Sequence, residues 1–271
     1  MQGEIRGGQN LEFTDTGPSR RLWQDCPWGD IGRTIRGVKF EDFFENTPSL
    51  STTAVTGKYA CFADTGATIL GSGVNEFGGV IMTVDADDNQ ACEIQTGGAT
   101  GVLANFIDPA VGTPNDVWFE CRFQLSALVG NSFFGLMEPA TPAGDFITDS
   151  GALKDTGLVG FSTLEGTPTI LNFTYKKNGQ TVQVPITTVH TMVAATAVNV
   201  GFHYRYNANP TDRKICVFKN NALQTTGVTA AAIAAATFPD AVLMALTATI
   251  KNVTDITAST LHWWKFAMVQ N

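Results

Sequence analysis

Positive charge is what this chain has least of. Lys and Arg number 17 in 271 residues against 25 Asp and Glu, with three His, so the formal net charge is −8. Nucleic-acid binding needs Lys and Arg clustered against phosphates, and that class of partner is set aside. No run of 18 apolar residues occurs, so no segment reads as a membrane-spanning helix. The opening residues lack a charged stretch followed by an apolar one, and no signal peptide is expected. The five cysteines (Cys26, Cys61, Cys92, Cys121 and Cys216) are odd in number and far apart, with no C-x-x-C pair. That argues against a zinc site and a disulfide framework, and reads as buried free thiols of a reducing cytoplasm.

Catalytic signatures are also missing. No Gly-x-Ser-x-Gly elbow is present. Glycan cleavage needs two carboxylates flanking one bond, yet no strand carries a Glu-x-Asp-x-x-Glu pattern, and Glu120 and Glu138 stand alone. His190, His203 and His262 fall in three separate elements. His203, between Phe202 and Tyr204, reads as a sheet-face residue. The acidic stretch Asp85-Ala86-Asp87-Asp88-Asn89 lacks the Gly and Glu of a calcium loop and reads as a solvated hairpin tip. Gly97 to Gly101 lacks the Gly-Lys-Ser/Thr ending of a phosphate loop and reads as a turn. Asn172-Phe173-Thr174 and Asn252-Val253-Thr254 match a glycosylation pattern that means nothing without a secretory signal. No catalytic residue, metal ligand or cofactor is assigned.

What is present is a strand pattern. Gly reaches 27 and charged residues only 15 %, the proportions of a sheet protein rich in turns. In residues 115–125 Val117, Phe119, Cys121, Phe123 and Leu125 alternate with Trp118, Glu120, Arg122 and Gln124. That is period two, with one face for the core and one for solvent. With the return segment Phe133 to Met137 it reads as an antiparallel pair. Glu120 and Arg122 would then form an exposed ion pair of little worth. Gly135, inside a strand, signals a close backbone approach.

Further strands are read at 58–64, 79–85, 92–95, 158–163, 169–176, 180–186, 198–207, 213–219, 242–251 and 260–269. Asn178-Gly179 supplies the positive φ of a tight hairpin, Asn220-Asn221 turns another, and residues 229–236 form a short helix or a packed loop. Strand pairs without alternating helices indicate a β-sandwich. Its predicted core includes Phe119, Cys121, Phe123, Phe173, Phe202, Val217 and Leu261.

Residues 1–56 differ from the 57–271 domain. They combine breakers such as Gly7-Gly8 and Gly17-Pro18 with Leu22, Trp23, Trp28, Phe43 and Phe44, more large apolar residues than a flexible tail holds. An extended arm that orders on a partner accounts for this, with Leu22, Trp23 and Trp28 as anchors and Arg20 and Arg21 facing acidic surface. The competing reading packs the arm on its own domain. Residues 39–46 are a helical turn or a strand.

The order of the pieces GGVIMTVDADDNQACEIQTGG, VWFECRFQLS, FFGLME, GLVGF, YKKNGQTV, VGFHYRYN, ICVFKNN and TLHWWKFAMVQ resembles the concanavalin-like jelly-roll domain of tailed-bacteriophage structural proteins. The resemblance covers roughly residues 57 to 271; the arm has no counterpart in it. It implies an all-β antiparallel sandwich and a non-enzymatic capsid decoration, cement or head-fibre protein. Such a protein is made in the host cytoplasm and sits on the capsid exterior. Its partners would be the major capsid protein and copies of itself, a trimer being preferred, with no cofactor, metal, nucleic acid or membrane. The same fold serves lectins and glycanases, so a glycan-binding module for host attachment is the alternative.

Overall fold

The computed structural model describes residues 17–44, 58–71, 78–97, 104–108, 111–164, 166–252 and 255–271. Most of the Gly97-to-Gly101 turn, the Val253-Thr254 half of the second glycosylation triplet, residues 1–16 and 45–56 of the expected arm, and Gly57 lie outside them.

The described residues form two antiparallel sheets packed face to face. One carries, edge to edge, β13 (Ala222–Leu223), β12 (Lys214–Lys219), β11 (Val198–Arg205), β6 (Asn115–Leu125), β15 (Thr257–Gln270), β4 (Val80–Val84) and β3 (Thr68–Gly71). Its eighth strand, β1 (Gly37–Asp42), pairs with β15 beyond the end of β4. The other sheet runs β10 (Gln183–Thr191), β9 (Thr167–Lys176), β8 (Leu158–Leu164), β7 (Asn131–Met137), β14 (Ala245–Lys251), β5 (Ala91–Thr96) and β2 (Tyr59–Ala63). Two short α-helices, α1 (Arg20–Trp23) and α2 (Ala230–Ile233), and a 3-10 turn at Pro210–Asp212 complete the fold of the described residues.

The predicted core residues Phe119, Cys121, Phe123, Phe173, Phe202, Val217 and Leu261 are all fully buried in the cluster between the sheets. The pairing of several strands differs from the expectation. β6 and β7 belong to opposite sheets, as do β4 and β5, so neither 115–137 nor 79–95 is a hairpin. Their inner faces meet instead across the sandwich, where the Phe123 and Phe134 rings stack with centroids 3.8 Å apart. Period two tells which residues face the core, and it is silent on which strand lies alongside.

β15 changes phase along its length. Its register shifts between Leu261 and Trp263, a bulge at His262, so Leu261 points inward before it and Trp264 and Phe266 point inward after it. Gly135 faces Gly160 on β8, where a Cβ on Gly135 would lie 2.4 Å from the Val159 carbonyl oxygen. The close approach read from the sequence is there. Asn220 and Asn221 both take positive φ, 45° and 63°, which turns β12 into β13.

Both sheets are covered on their outer faces as well. Residues 138–157 lie over the seven-stranded sheet and bury Phe146, Ile147 and Leu153 against Phe133, Met137 and Leu158. Three backbone N–H groups of this loop, at Ala143, Gly144 and Phe146, donate to the Glu93 carboxylate. Lys251 Nζ, from β14, donates to the carbonyls of Gly144 and Ile147. That cover explains why every residue of β14, whichever way it points, is buried.

The described part of the expected arm, residues 17–44, covers the eight-stranded sheet. Leu22 and Ile31 are buried against Trp118, Phe218, Ala267 and Val269. Gly37 to Asp42 is a strand of the sheet, its residues opposite Val269 to Trp264. The separation at residue 57 is therefore corrected: the sandwich takes in residues 17–44. The physical reason is that the outer face of β6 and β15 carries Trp118, Ala267 and Val269, too apolar to leave in water.

Candidate functional site

The seven residues read as partner contacts are brought together only in part, and chiefly in contacts within the chain. Leu22 is 1 % exposed and sits over Gly201, where any Cβ would come 2.5 Å from Leu22 Cδ2. Phe44 is buried against the rings of Tyr59 and Trp264, centroids 5.7 Å away in each case. Phe43 is half-buried beside the Trp263 ring at 6.1 Å. Trp23 and Trp28 meet edge to face at 5.5 Å, with Lys265 Nζ 4.9 Å and 4.2 Å from their ring centroids. Leu22 and Phe44 are thus corrected as anchors for a neighbour, since burial at home leaves them nothing to offer outside. Arg20 and Arg21 are exposed.

Glu120 is what the segment is fastened to. The Ser19 backbone N–H donates to both carboxylate oxygens, at 3.0 and 2.9 Å, the Ser19 hydroxyl bonds the same group, and Trp23 Nε1 donates to it at 2.6 Å. The expectation of an exposed Glu120–Arg122 ion pair is overturned: Glu120 is 1 % exposed, and Arg122 donates to Asn199 Oδ1 at 2.8 Å. Burial pushes the Glu120 carboxyl up to about 7, and the donors and Lys265 offset that shift only in part. Alternation had placed Glu120 on the solvent face, and nothing local in the sequence announces the Ser19 segment a hundred residues earlier.

Next to Glu120 on the same face, Trp118 stacks on His203 with centroids 4.3 Å apart and rings 16° from parallel. Burial, with Arg205 adding to it, drags the His203 imidazole down to about 4. His203 is therefore the sheet-face residue the sequence indicated, neutral at ordinary pH.

Beyond His203 the sheet opens into a groove of about 650 Å³. The ends of β11 and β12 form its floor, and residues 223–230 its far wall, tied back by the bridge between Ile215 and Val228. Arg205, Arg213 and Lys214 line it, with Asp212 as the single acid. Arg213 is held in place: its guanidinium lies 4.9 Å from the Tyr206 ring and its Nε donates to the Asn207 carbonyl at 3.1 Å. Asp212 is engaged by Asn209 Nδ2 at 3.2 Å. The sequence reading did not single these residues out. The signal was available, since closing the 198–219 hairpin brings Arg205 opposite Lys214. Among the described residues, no group of three His, Cys, Asp or Glu is placed to hold a metal ion.

The same fold occurs in solved structures. Peanut lectin with a nine-residue peptide is 15 % identical, over 87 % of this chain and 99 % of that one, with a TM-score of 0.54. A seed lectin of Lotus tetragonolobus is 12 % identical over 86 % and 99 %, with a TM-score of 0.53. A protein of unknown function from Shewanella oneidensis MR-1 is 10 % identical over 90 % and 92 %, with a TM-score of 0.52. The architecture is a concanavalin-like jelly roll, and identities this low speak for the fold alone. No family model matches the chain, and no curated protein matches it.

Proposed function

We propose that the protein is a non-enzymatic structural component of a tailed-bacteriophage particle, a rigid sandwich displayed on the capsid exterior. The observation that carries the non-enzymatic part is the fate of its buried glutamates. Glu93 is consumed by three loop N–H groups and Glu120 by Ser19 and Trp23. Both work as staples that hold covering segments down, and a general acid or base needs its carboxyl open to substrate. The phage setting is supported by the ordered strand pieces in the sequence. Covered on both faces, the sandwich has the build of a block that meets its lattice through edges, loops and the exposed Arg20 and Arg21. Repetition on a lattice would supply avidity without any one strong contact. Antibodies against the chain should label the capsid exterior of particles from the same source in electron microscopy. Particles in which mass spectrometry finds no copy of the chain would overturn the assignment.

A second reading, glycan binding for attachment to a host surface, is favoured by one observation. The groove beside β11 and β12 has the volume of a small-ligand site and walls rich in hydroxyl and amide groups. A glycan array probed with the labelled protein tests it; signal no higher than that of a protein-free control would remove it.

A further inference from the structure

Arg205 and Lys214 are direct partners in the antiparallel register of β11 and β12. Both are exposed, while their neighbours Tyr204 and Ile215 point into the core. Like charges directly opposite one another weaken a strand pair. Asp116, beside Tyr206, lies within electrostatic reach of Arg205, but no ion pair closes on either cation: among the described residues the ion-paired cations are Lys58, Lys154, Lys176, Lys177, Lys251 and Lys265, none of them in the groove. Arg213, anchored over Tyr206, adds a third positive charge, and Asp212 returns one negative. In a chain of net charge −8, the groove is a local reversal of sign. Its opposite wall brings Thr225 and Thr226, exposed hydroxyls that make no hydrogen bond among the described residues.

We propose that this groove is a binding site for an anionic saccharide, its carboxylate or sulfate group seated between Arg205 and Lys214 and its hydroxyls against Thr225 and Thr226. The inference rests on the glycan-binding reading and narrows it to acidic sugars. Two opposed cations are costly empty and favourable once an anion lies between them, because a charge-assisted contact to Arg is short, planar and strong. Hydroxyl-rich walls distinguish a sugar from a bare anion, which would leave Thr225 and Thr226 unused. An acidic peptide would meet the cations equally well but has little use for those hydroxyls.

The test is calorimetric titration of the full chain with three probes of equal length: a uronic-acid oligosaccharide, a sulfated one, and the uronic-acid oligomer with its carboxyls reduced to alcohols. The expected result is binding of one or both acidic probes, at least about tenfold tighter than the reduced one and weakened by raising the salt. The two acidic arms tell carboxylate from sulfate. Arg205→Gln and Lys214→Gln should each lower the affinity about tenfold. Without ligand, Lys214→Gln should melt no lower than the parent, because it removes a repulsion; a merely structural role for that side chain would lower the melting temperature. Equal affinity for the reduced and acidic probes would overturn the proposal and leave glycan binding standing. No binding of any probe, together with a blank glycan array, would overturn both. Binding of a poly-glutamate peptide more tightly than either acidic sugar would overturn the proposal in favour of a protein partner.

Discussion

The indole N–H of Trp23 donates to the carboxylate of Glu120 at 2.6 Å across a sequence separation of 97 residues. With Ser19 it fastens the first described helix to the centre of the eight-stranded sheet. The carboxyl is held by burial at about 7, well above its ordinary 4.5. An acid whose folded-state pKa is raised contributes stability that is complete below the unfolded value and is lost as pH rises through the folded one. Between about pH 4.5 and 7 the protein should lose on the order of 3 kcal/mol through this group. His203 and His262, both pulled down to about 4 by burial, act in the opposite sense and cost stability as pH falls below 6.5. Comparison with Glu120→Gln cancels them, since both proteins keep the histidines. Urea melts at several pH values should show the variant gaining on the parent from pH 4.5 to 7. Parallel curves would mean that Glu120 does not titrate in that window.

Phe123 joins the two sheets by stacking on Phe134, and neither ring is more than 1 % exposed. Phe123→Ala removes a large buried side chain that its neighbours cannot refill. The expected loss is about 3 to 5 kcal/mol in denaturant melts. A loss below about 1 kcal/mol would mean that the inner faces do not meet at this point.

Gly135→Ala tests the opposite error, too much volume. The added carbon would stand 2.4 Å from the Val159 oxygen and 2.6 Å from Gly160 Cα, both backbone atoms of the neighbouring strand. Side chains yield to such an intrusion more readily than a strand ladder does. A destabilisation of about 2 kcal/mol or more is expected, with a normal melt for the substitution Gly179→Ala at the level of packing, because nothing lies within 4 Å there; the positive φ of Gly179, 74°, costs that variant a smaller amount. Equal stability of the two variants would contradict the β7–β8 spacing.

The sandwich was legible because alternation is local. Val117 to Leu125 announce a buried face in nine residues, and Asn178-Gly179 announces a turn in two. Which sheet a strand joins is not local, so the 115–137 pair was misassigned while its inward residues were right. Glu120 shows the same limit from the other side: its alternation marks it as outward, which it is, but outward became buried once residues 17–44 lay over it. β3 was missed because Thr68–Gly71 is four residues long and exposes Leu70, too short to show a period. The groove depends on two ends of one hairpin and could have been read from its register. What it binds depends on the shape of the 223–230 wall, which no periodicity encodes.

The last expected outcome concerns the N-terminal segment. Its Trp and Phe residues suggested an arm reaching for another protein, and a chain cut after residue 44 would on that reading remain a folded sandwich. The structure gives the cut a different consequence. It would strip β1 from β15, leaving Trp264 to Val269 without a partner on that edge. It would uncover Trp118, Ala267 and Val269 to water, and it would leave Glu120 with none of its Ser19 and Trp23 donors. An exposed, unpaired edge next to a bare apolar face is a route to aggregation. The truncated chain is therefore expected to be insoluble, or to melt well below the parent. A milder change, Leu22→Ala, should cost about 2 to 5 kcal/mol for a side chain this buried while leaving the sheet edge intact. The two experiments together separate a local packing loss from the loss of a strand. A truncated protein that stays soluble and melts with the parent would show that residues 17–44 are not held on the sandwich in solution, and would make Leu22 and Phe44 available to a partner again.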